Sequence, residues 1–85
     1  MSAMDVELKL ESLLADARAA LAALNTRDRS VASIVDRVAG LRYAEGTLVG
    51  FLGALQVIDP QVAQILAPRI ETFVGEAIAA RVLLD

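Results

Sequence analysis

Residues 47–58 read TLVGFLGALQVI, a run whose only polar side chains are Thr47 and Gln56. Wound at about 100° per residue, a helix over this run is apolar on every side, and such a helix packs against protein all round. The chain that must supply the cover has 85 residues. A domain of that size hides only about 60% of the surface its unfolded chain exposes. The sequence therefore predicts that a surface built from Phe51, Ala54 and Ile58 is covered by another chain, either a second copy or a different protein. Full burial of a Phe or Ile contributes about 1.5–3 kcal/mol, so a few such residues are enough to drive association.

The apolar fraction of 56% and mean hydropathy of +0.57 exclude a disordered tail, which would be apolar-poor and strongly charged. Most of that fraction is Ala, Leu, Val and Ile with 4% aromatic, a palette for close-packed helices and not for a sheet. The expected fold is all-α: one domain over residues 1–85, with three principal helices, completed by dimerisation.

The first helix is expected to start at a capping box formed by Ser2 and Asp5. Leu10, Leu14, Ala17, Leu21 and Leu24 step by four and three along it, widened by Leu13 and Ala20 into a core-facing stripe. Asn25 suits its end, and Thr26 or Asp28 is placed to cap the second helix. That helix carries the stripe Ile34, Val38, Leu41, Glu45, Leu48, Leu52 and Leu55. Its opposite face begins polar, with Arg29, Ser33, Asp36 and Arg37, and turns apolar from Thr47 onward. Gly46, Gly50 and Gly53 share a face with Val57, and each costs about 1 kcal/mol against Ala inside a helix. Such a stripe lets a second backbone approach closely; a break near Gly46 is the alternative. The candidate interface is therefore Gly46, Gly50, Phe51, Gly53, Ala54, Leu55 and Ile58.

Asp59 and Pro60 form a stop and restart, with Asp59 as N-cap and Pro60 at the first helical position. Pro68 lacks a donor and crowds the preceding turn, so the third helix is expected to kink or split there. Ile70, Phe73, Val74, Ala77, Ile78 and Leu84 line one face of its second half. Arg81 lies in that stripe, where its stem is expected to pack while its head reaches water and the helix dipole.

The inventory of reactive groups is thin. With no His and no Cys, the usual zinc, copper, haem and iron–sulfur ligand sets cannot be assembled, nor can a Ser–His or Cys–His nucleophile. The acids are scattered over outer faces, where their ordinary role is solubility. No enzymatic activity and no cofactor are expected. The net charge of −3 disfavours phosphate backbones, although Arg27, Arg29 and Arg37 form a candidate anion-facing patch next to Arg42. Asp28 and Asp36 interrupt it. Glu45 is the one acid on a leucine stripe, and Arg42, three residues earlier, is its local partner candidate for a register-setting polar pair.

The apolar run is too short to span a bilayer, which takes about 20 residues. The acidic start MSAMDVE lacks the basic and apolar regions of a secretory leader, so a cytoplasmic protein is expected. Abundant Ala with Lys9 as the sole lysine points to a GC-rich bacterial or phage genome. Three functions fit: a homodimeric adaptor or structural module, a phage or mobile-element inhibitor that blocks a host complex, and a small DNA-binding regulator.

Overall fold

The structure is a computed structural model that describes residues 3–25 and 30–83. Three antiparallel helices account for it: α1 (Ala3–Ala22), α2 (Val31–Ile58) and α3 (Pro60–Val82), with a single 3₁₀ turn, Ala23–Asn25, after α1. No strand occurs among the described residues. At about 1.5 Å per residue the 28 residues of α2 reach about 42 Å, and the molecule measures 44 × 19 × 15 Å. Its shape is that of its longest helix.

The sequence stripes become one core. Val6, Leu10, Leu14, Ala17 and Leu24 meet Leu41, Leu48 and Leu55 of α2 and Ala63, Leu66, Ile70, Phe73 and Ala77 of α3, all buried. Phe73 is fully enclosed, with the Arg18 guanidinium 5.9 Å from its ring centroid. Arg18 also bridges to Glu76 at 3.1 Å and Arg69 to Glu7 at 3.6 Å, two exposed ion pairs between α1 and α3. Exposed pairs of this kind add little stability. Ile78, expected in the core stripe, is 46% exposed instead.

α2 is unbroken through Gly46, Gly50 and Gly53. Its cap is Ser30, whose Oγ accepts from the Ser33 N–H at 3.3 Å. The expected caps Thr26 and Asp28 lie outside the described residues, as does Ser2. Asp59 behaves as read from the sequence: its Oδ1 accepts from the Val62 N–H at 3.3 Å, with Pro60 opening α3. The expected division at Pro68 does not occur, since α3 is one helix from Pro60 to Val82. Leu66 and Ile70 flank the proline and are both buried in the same core, so splitting the helix would unseat one of them. Pro68 itself is exposed, and so is Gln64, whose carbonyl loses its donor.

Candidate interaction face

The core stripe of α2 fixes what its other side must present. Between Arg42 and Asp59 the only charged residue is Glu45, and Glu45 is buried at 9% exposure. Over residues 43–58, about 24 Å of helix, α2 therefore shows solvent almost no charge. Tyr43 is 79% exposed, Val49 54%, Val57 84% and Ile58 66%, with Gly46, Gly50, Gly53 and Ala54 exposed or half-exposed between them. None of these glycines has positive φ, and a Cβ built on any of them would meet nothing within 4 Å. The chain's own fold makes no use of their smallness.

The expected interface residues thus separate into two groups. Gly46, Gly50, Gly53, Ala54 and Ile58 lie on this open face. Leu55 is 4% exposed and belongs to the chain's own core, because its spacing from Leu48 and Leu41 keeps it on the inner stripe. Phe51 is half-buried and packs against that core from its flank. Tyr43, Val49 and Val57 complete the exposed set. Sequence reasoning passed over Tyr43 because it stands before the apolar run, although its helical spacing from Gly50 and Ala54 carried the signal.

The polar pair is also different from the expected one. Glu45 Oε1 accepts from Arg81 Nη2 at 3.0 Å, across 36 residues of chain, and the two side chains are only 11% and 20% exposed. Arg42, the expected partner, is exposed. Arg81 correspondingly turns inward to a carboxylate instead of reaching water. Glu45 Oε2 and Arg81 Nε are buried without a hydrogen-bond partner, so the pair is held by one bond.

Arg27 and Arg29 lie outside the described residues. Arg37 is half-buried and leaves α2 about 140° around the axis from exposed Arg42, so the structure does not bring these two cations together. Among the described residues no group of carboxylates is placed to hold a metal ion, and no helix is long and apolar enough to cross a membrane.

Open grooves indent the surface between the described residues. One, of about 520 Å³, lies between α1 and α3 beside Arg18, Pro68 and Arg69. A second, of about 350 Å³, lies along the start of α2 beside Ile34, Val38 and Arg42. The third, of about 340 Å³, borders the uncharged face directly, being lined by Leu13, Asp16 and Ala20 of α1 and by Gly40, Tyr43, Ala44 and Thr47 of α2. Comparison with protein-family models, with curated proteins and with solved structures finds no match.

Proposed function

We propose that this chain is a small non-enzymatic protein–protein interaction module, an adaptor or structural protein, whose working surface is the outer face of α2. The observation that carries the proposal is the uncharged outer face of α2 over residues 43–58, where the stretch's one acid, Glu45, is turned inward to Arg81. An isolated small protein keeps exposed apolar patches small, and larger ones mark contact sites. Burying Val49, Val57 and Ile58 contributes about 1.5–3 kcal/mol each, which competes with the cost of association only when several are covered at once. Four helix-interior glycines, Gly40, Gly46, Gly50 and Gly53, agree with this reading: each weakens α2 by about 1 kcal/mol, and none is needed by the chain's own packing.

The non-enzymatic part rests on the reactive inventory. A chain with no His and no Cys, whose buried acid is already engaged by an arginine, lacks a candidate nucleophile or proton-transfer pair. A photo-crosslinking side chain placed at Tyr43 or Val57 in the native cell should capture a protein, and the same group at Ala15 of α1 should not. Capture from α1 alone, or from neither face, contradicts the assignment.

A further inference from the structure

Resting on the reading of α2 as the contact surface, we infer that its occupant is a second copy of this chain, bound antiparallel about a two-fold axis that passes between Gly50 and Phe51. The uncharged stretch ends in opposite charges, Arg42 on one side and Asp59 on the other. An antiparallel pair centred between Gly50 and Phe51 brings Arg42 of each copy level with Asp59 of the partner subunit, twice by symmetry. A parallel pair sets Arg42 against Arg42. The axis also coincides with the middle of the small-residue face, where Gly46, Gly50 and Gly53 leave the backbone open for close approach.

Shape points to the same register. The two-fold axis keeps each flank of α2 against the same flank of its partner, and it brings Tyr43 level with Ile58 of the partner subunit. Ile58 leaves α2 in helical line with Gly40. The groove beside Tyr43 lies on that same side, between α1 and α2, and Gly40 forms part of its wall. Each copy therefore offers a groove of about 340 Å³ and, about 22 Å away along α2, an exposed isoleucine to fill the equivalent groove of the other. A protein carrying both halves of a contact at mirrored distances from one point is complementary to itself.

The chain has no cysteine, so introduced cysteines report distances cleanly. Thr47 comes level with Ala54 of the partner subunit, while Thr47 and Ala54 within one chain, two helical turns apart, exceed the roughly 7 Å limit for a disulfide. Thr47→Cys/Ala54→Cys should oxidise to a covalent dimer at least about tenfold faster than either single variant, and the unmodified protein should sediment at twice its 9.0 kDa at high concentration. Rapid cross-linking of the Thr47→Cys and Ala54→Cys single variants overturns the antiparallel register and identifies a parallel pair. A wild-type mass of 9.0 kDa at about 100 µM, a hundred times a micromolar dissociation constant, overturns the second copy as occupant. Neither result touches the wider reading of the face, which stands or falls on photo-crosslinking at Tyr43 and Val57.

Discussion

Arg81 near the end of α3 donates to the Glu45 carboxylate in the middle of α2 at 3.0 Å, and the contact is mostly hidden from water. It links the last turns of α3 to the middle of α2, beside the core contacts of Phe73 and Ala77. Removing one partner strands a charge, which costs more than the pair itself contributes. Arg81→Met is therefore expected to lower unfolding free energy by about 2–3 kcal/mol. Glu45→Leu combined with Arg81→Met should recover most of that loss. Urea denaturation of the two single variants and the double variant checks it, and independent, additive losses would show that the pair is not coupled.

Phe73 is the largest fully enclosed side chain, where α3 meets α1, and Phe73→Ala leaves a cavity that the surrounding helices fill only in part. The expected loss is about 3–5 kcal/mol, a large share of the roughly 5–15 kcal/mol available to a domain. Circular dichroism should show a chain that is largely unfolded well below the wild-type melting temperature.

Much of this core was legible as spacing. The steps of four and three in α1 and α2 picked out Leu10, Leu14, Ala17, Leu41, Leu48 and Leu55, because a helix turns its buried residues to one side at a fixed period. Asp59 and Pro60 were legible as chemistry, since a side-chain acceptor followed by a residue without a donor suits a helix start. What the sequence hid was long range. Arg42 is three residues from Glu45 and looked like its partner, whereas Arg81 is 36 residues away and becomes a neighbour only when α3 folds back. At Pro68 a split does not follow from the local cost for a related reason: Leu66 and Ile70 on either side are held by a core that the local sequence does not show.

The cap at Asp59 serves the turn between the two longest helices. Asp59→Ala removes the acceptor of the Val62 N–H and is expected to cost about 0.5–2 kcal/mol, with Asp59→Asn close to wild type. Thermal melts of both variants distinguish loss of the cap from loss of the charge.

The glycines supply a contrast between folding and association. Gly75→Ala adds a methyl group that meets nothing and removes a helix-interior glycine, so it should raise stability by about 0.5–1 kcal/mol. Gly50→Ala should do the same for the chain alone, but on the contact face it should also weaken self-association, an effect that Gly75→Ala lacks. Melting curves at low protein concentration, beside sedimentation at high concentration, separate the two quantities.

The uncharged outer face of α2 is, on this reading, where the protein is held by another. Affinity capture from the native host, with a tagged chain and an untagged second copy both present, tests it most directly when wild type is compared with Gly50→Glu. The substitution places one charge at the centre of an exposed face, and its Cβ meets nothing within 4 Å in the chain itself. Gly50→Glu should keep the helix content of the wild type and lose the captured protein. Retention of the same captured protein, at the same yield, by a folded Gly50→Glu chain would contradict the assignment of this face.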